Sequence, residues 1–92
     1  MELPVSIRDG YFELAKDSQG THGMIMDAVK AFARREARPL IAAGASKRQV
    51  ADAFRLLAAE CYEKACSEGW MNDYALDLAD VVRTAVMAVR EK

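Results

Sequence analysis

Apolar positions recur at helical spacing over three long stretches of this chain, and the best marked of them is residues 46–68. Val50, Phe54, Leu57, Cys61 and Ala65 follow one another there at steps of three and four, with Ala58 and Tyr62 widening the stripe. Arg48, Asp52, Arg55, Glu63 and Ser67 face the other way. A stripe of this kind predicts an amphipathic helix with one face in a core. Ser46 and Gln49 have the spacing of a capping box, in which the serine oxygen accepts from the third helical amide and the glutamine side chain reaches back to the cap amide. Gly69 suits the left-handed position that closes a helix, and Trp70 the apolar position that packs back on its last turn. The helix so bounded has about 22 residues and a length of ~33 Å.

Upstream, Thr21 caps a helix over residues 21–38 whose apolar face is Met24, Ile25, Ala28, Val29 and Phe32. It is expected to end before Pro39, which disfavours helical geometry at Arg38. Residues 39–44 then form either one helical turn with proline first or a loop that tucks Leu40 and Ile41 inward. Downstream, Asn72 or Asp73 caps a last helix over residues 72–90 that turns Tyr74, Leu78, Val81, Val82, Ala85, Val86 and Val89 inward.

Residues 3–15 admit two readings. Asp9-Gly10 is a favoured two-residue hairpin turn, and it would set Ile7 opposite Phe12 and Val5 opposite Leu14. The alternative is an arm over residues 3–8 followed by a short helix through Tyr11, Leu14 and Ala15, begun at Asp9 and closed near Gly20. The helix is preferred because an isolated hairpin is marginal and no third strand is in sight.

Two partial resemblances bear on function. The run A-A-G-A-S-K-R-Q-V-A-D-A-F, residues 42–54, resembles the opening of the first motif helix in helix-turn-helix regulators, which implies a turn after Phe54. The segment that follows, Arg55-Leu56-Leu57-Ala58-Ala59, holds no turn residue. An L-P-V-S-I-R arm, a short helix with Leu14-Ala15-Lys16, a Gly20 turn and a helix with Ala28 and Phe32 is similar to ribbon-helix-helix repressors. That likeness implies an extended arm paired in a dimer, with Ser6 and Arg8 as its polar readers.

Composition narrows the classes. Ninety-two residues suit one domain, and much of the 52% hydrophobic fraction is alanine. The longest uncharged apolar run, residues 39–45, is far short of a membrane span, and the N-terminus lacks the layout of a signal peptide, so a cytoplasmic protein is expected. Cys61 and Cys66 stand about 7.5 Å apart along a helix and ~140° around it, which rules out a mutual bridge. Cys61 reads as a small buried hydrophobe and Cys66 as an idle thiol on the flank. With His22 the one histidine, no zinc site is expected. Asp73, Asp77 and Asp80 read as a solvated face that suits a helix N-terminus, in preference to a divalent-ion site. No glycine belongs to a phosphate-binding motif, and no catalytic constellation is visible, so neither an enzyme nor a cofactor is expected.

The net charge of −1 hides a segregation. Residues 30–55 hold seven Lys or Arg against two Asp or Glu, whereas the segments on either side are each net acidic. The seven cations, Lys30, Arg34, Arg35, Arg38, Lys47, Arg48 and Arg55, are the candidate site. A bland account exists for part of the cluster, since cations near a helix C-terminus complement its dipole.

The expectation is therefore an all-α domain, a small bundle of three to four helices whose C-terminal pair, 46–68 and 72–90, forms a long antiparallel hairpin. By elimination its function is that of a small binding module that occupies an acidic protein partner. Adaptors act in this way, as do the small inhibitors that phages and plasmids encode. The alternative is a DNA-binding regulator that uses the basic segment, acting as a homodimer.

Overall fold

Four helices carry the chain, α1 (Val5–Asp17), α2 (His22–Ala42), α3 (Lys47–Glu68) and α4 (Ala75–Met87), in a computed structural model that describes residues 1–17, 22–69 and 75–90. Among the described residues there is no strand. All four helices contribute to one buried cluster, in which Tyr11, Val29, Val50, Phe54, Leu57, Val82 and Val86 are the largest fully enclosed side chains. Side chains of this kind each stabilise the fold by about 1.5–3 kcal/mol when taken fully out of water.

The central helix forms where its spacing places it. Gln49 N–H donates to Ser46 Oγ at 3.0 Å and Ser46 N–H to Gln49 Oε1 at 3.3 Å, so both halves of the capping box are made. At the other end Gly69 takes φ 76°, ψ 17°, and its N–H donates to the Ala65 carbonyl. Val50, Phe54, Leu57, Ala58, Cys61 and Ala65 are buried as their spacing requires, and Tyr62 is half-buried. The expected packing of Trp70 lies outside the described residues, as do the caps proposed at Thr21, Asn72 and Asp73.

The N-terminus departs from expectation. There is neither a hairpin nor an arm over residues 3–8, because the helix already begins at Val5. Leu3, Ile7, Tyr11 and Ala15 are all buried and recur every four residues, a stripe that reaches the core only if residues 5–15 are helical throughout. Pro4 stands where the helix needs no amide, and its carbonyl accepts from Ile7 at 3.0 Å and Arg8 at 3.1 Å. Asp9-Gly10 lies in mid-helix. A Cβ at Gly10 would come within 3.2 Å of the Phe32 ring, so the missing side chain lets α1 approach α2 closely. A helical start also removes the arm on which the ribbon-helix-helix likeness rests.

The end of α2 is the second correction. The helix runs through Pro39 to Ala42 rather than stopping at residue 38. Arg35 and Pro39 are both exposed, so the Arg35 carbonyl that loses its donor faces solvent, where water can satisfy it. Termination comes four residues later. Gly44 N–H donates to the Ile41 carbonyl at 3.0 Å and Ala45 N–H to the Leu40 carbonyl at 3.1 Å, the bond pair of a Schellman motif, with Gly44 at φ 113°.

Helix α3 packs most extensively on α4, and α4 in turn on α2. Helix α3 continues unbroken across Arg55–Ala59, so the turn required by the helix-turn-helix likeness does not form. The last helix ends at Met87, short of the expected residue 90, yet Val89 N–H still donates to the Val86 carbonyl at 3.0 Å and Val89 stays buried.

Candidate functional site

The seven candidate cations do not share one fate. Arg35 lies over the Phe32 ring, 5.5 Å from its centroid, and its Nε pairs with Glu36 at 3.4 Å. Arg55 reaches Asp80 on α4 at 3.7 Å. Lys47 and Arg48 occupy the first turn of α3, which has no acidic residue, so they oppose the positive end of the helix dipole. Lys30, Arg34 and Arg38 remain, one turn apart along α2, and none of the three makes an ion pair among the described residues.

These three edge an open trough between α2 and α4. Its larger part, about 660 Å³, is bordered by Arg34, Arg38 and Arg90 and floored by Ile41, Ala42, Ala88 and Val89. The smaller part, about 320 Å³, adds Lys30 and Asp80 at the rim and Val81, Thr84 and Ala85 beneath. The two parts share Arg34 and Ala88 and so lie side by side along the α2–α4 edge. Asp80 is its one described carboxylate, and that group is already engaged by Arg55.

Helix α2 supplies the cations because its buried face is Val29, Phe32, Ala33 and Ala37, which leaves residues 30, 34 and 38 on an adjoining edge. The α4 side leaves room because the residues there are small, above all Ala85 in α4 and Ala88 just beyond its end. Arg90 is a rim residue that the sequence reading missed. The signal for it was weak, a lone arginine after an alanine-rich helix end and far along the chain from the basic segment.

The bland explanation for the row loses ground here. Because α2 runs on to Ala42, its last turn contains no basic residue, and dipole stabilisation fades beyond that turn.

Cys61 is buried, its thiol pushed up to about 11 by loss of hydration, with nearby Lys64 working in the opposite direction. Tyr11 is also driven well above the ordinary phenol range, first by burial and then by the proximity of Cys61. Its hydroxyl has no hydrogen-bond partner among the described residues. Cys66 is exposed and not idle, since it shares a side-chain hydrogen bond with Tyr62.

Among the described residues no three His, Cys, Asp or Glu side chains are grouped to hold a metal ion. The side chains of His22, Asp73 and Asp77 lie outside that description. No described helix is long and apolar enough to cross a membrane. No family model, curated protein or solved structure matches the chain.

Proposed function

We propose that this protein is a small non-enzymatic binding module that acts by occupying an acidic surface of a partner protein, as an adaptor or an inhibitor does. One observation carries the reading. Lys30, Arg34 and Arg38 form a row without described ion-pair partners, away from the helix end that would otherwise account for them, beside a partly apolar channel. A row of cations without described partners beside apolar surface is laid out for an amphipathic, acidic partner. We take α3 and α4 to be an antiparallel hairpin that acts as the rigid support. Their ion pairs Asp52–Arg83 and Arg55–Asp80 run in opposite order along the two helices, which supports that arrangement.

Charge reversal tests the reading. With Arg34→Glu and Arg38→Glu together, protein complexes captured from the native host by the wild-type chain should be lost, while helicity and melting temperature stay as they were. Duplex DNA should bind weakly at physiological salt. Tight binding whose log–log salt slope reaches about −4 to −5, as five neutralised phosphates would give, overturns the reading in favour of a nucleic-acid partner.

A further inference from the structure

The channel between α2 and α4 specifies more than the charge of its occupant. We infer that it takes an acidic amphipathic α-helix of the partner protein, laid along α2 with a carboxylate row facing Lys30, Arg34 and Arg38 and an apolar strip against α4. This rests on the protein-binding reading above and adds the conformation and the pattern of the bound segment.

Spacing supplies the first argument. Residues four apart on α2 stand about 6 Å apart along the axis, so the three cations span ~12 Å, and Asp or Glu four apart on a second helix repeat at the same interval. The floor supplies the second. Ala85 and Ala88, with Val81 beside them, present short side chains, and small contact residues bring two packed helices toward the near end of the usual interaxial range of about 8–10 Å. Backbone chemistry supplies the third. An extended segment could match the charge interval almost as well, since alternate residues of a strand repeat at ~6.6 Å. It would, however, lay unpaired N–H and C=O groups on an apolar floor with no sheet edge to receive them. A helix satisfies its own backbone and presents only side chains. Arg90 at the far end gives the partner's row a further contact beyond Arg38.

Three synthetic peptides of identical composition, each about five turns long, test this against the full chain by fluorescence anisotropy. The first places Glu at every fourth position with Leu and Ala on the adjoining face, the second scrambles that order, and the third alternates Glu and apolar residues. The first should bind at least tenfold more tightly than the others and gain helicity on binding. It should lose that advantage to Arg34→Glu and, independently, to Ala88→Leu, which fills the floor at an exposed position and should leave the fold intact by circular dichroism. Equal binding of all three peptides overturns the helical occupant while leaving the acidic-partner reading in place. Failure of the first peptide to bind at about 1 mM overturns it as well. If captured protein complexes also survive reversal of Arg34 and Arg38, the underlying reading falls separately, and displacement of the first peptide by duplex DNA overturns both.

Discussion

The side of the molecule where α1 meets α2 and α3 is built from large residues, and the side where α2 meets α4 from small ones. On the first, Tyr11 meets the Phe32 ring edge-on with centroids 6.2 Å apart, and Gly10 lets the backbone in. Two α1 side chains also reach α3, Arg8 pairing with Glu60 and the Phe12 ring receiving Lys64 at 5.1 Å. On the second, alanines leave an open channel, and the cations beside it are left without described partners. Aromatic bulk closes an interface, whereas alanine allows helices to pack at their contact line and still leaves surface uncovered along the edge. The first side is organised for stability, and the second carries the candidate site.

Five measurements break or sharpen that contrast. The largest effect belongs to Phe54, where truncation to alanine should cost about 3–5 kcal/mol in urea unfolding, a large share of the roughly 5–10 kcal/mol that such a domain has. An unchanged midpoint would show that Phe54 does not sit in the core.

Next comes Tyr11, where Tyr11→Phe removes a buried hydroxyl without a described partner and keeps the ring. Leaving such a group unpaired costs about 1–3 kcal/mol, so the variant should be more stable than wild type by up to that amount. A loss of stability would reveal a partner for the hydroxyl. The same corner sets the alkaline limit. Cys61 ionises at about 11 in the folded chain against 9.0 for the free group, and Tyr11 is shifted in the same direction. The unfolded chain therefore loses these protons first. Stability should be flat below about pH 9 and fall between 9 and 11, and Cys61→Ala should flatten part of that fall. A profile that rises with pH over this range would contradict the burial of both groups.

At the start of α3, Lys47→Glu and Arg48→Glu should each stabilise the fold by about 0.3–1 kcal/mol, because they reverse a charge that opposes the α3 dipole. Weaker partner capture by the stabilised variants would show that these two lysine and arginine side chains are retained for binding. Destabilisation would mean that the dipole is answered elsewhere.

Gly10→Ala should have the smallest net effect. Helix propensity favours alanine by about 1 kcal/mol, but its methyl group would press on Phe32 at 3.2–3.3 Å, and the two terms nearly cancel. A clear gain in melting temperature would show that the ring yields easily. A clear loss would mean that the close approach of α1 and α2 depends on glycine.

How much of this was legible varied with the locality of the signal. Helix α3 could be bounded from Ser46, Gln49 and Gly69 because caps are made by neighbours in sequence. The start of α1 could not, since Asp9-Gly10 imitates a hairpin turn. The four-residue spacing of Leu3, Ile7, Tyr11 and Ala15 carried the right answer, and it becomes decisive only when α2 and α3 are there to receive it. The end of α2 was hidden because a proline tolerated on a wet helix face looks the same in sequence as one that terminates a helix. As for the site, the cations were visible as residue types. Their division into engaged and bare groups was not, because Asp80 and Arg90 arrive from a helix at the other end of the chain.

The two ion pairs between α3 and α4 have a consequence for alignment that exceeds their strength. Both are solvent-exposed, and each contributes at most about 1 kcal/mol. Their signs are reversed relative to each other, with Asp52 facing Arg83 and Arg55 facing Asp80. Sliding α4 by one turn in one direction brings Arg83 against Arg55, and sliding it in the other brings Asp80 against Asp52. Either slip replaces attraction with repulsion. The reversed pair thus works as a two-letter code for register, and it selects the one offset at which Arg90 and Ala88 arrive beside Arg34 and Arg38.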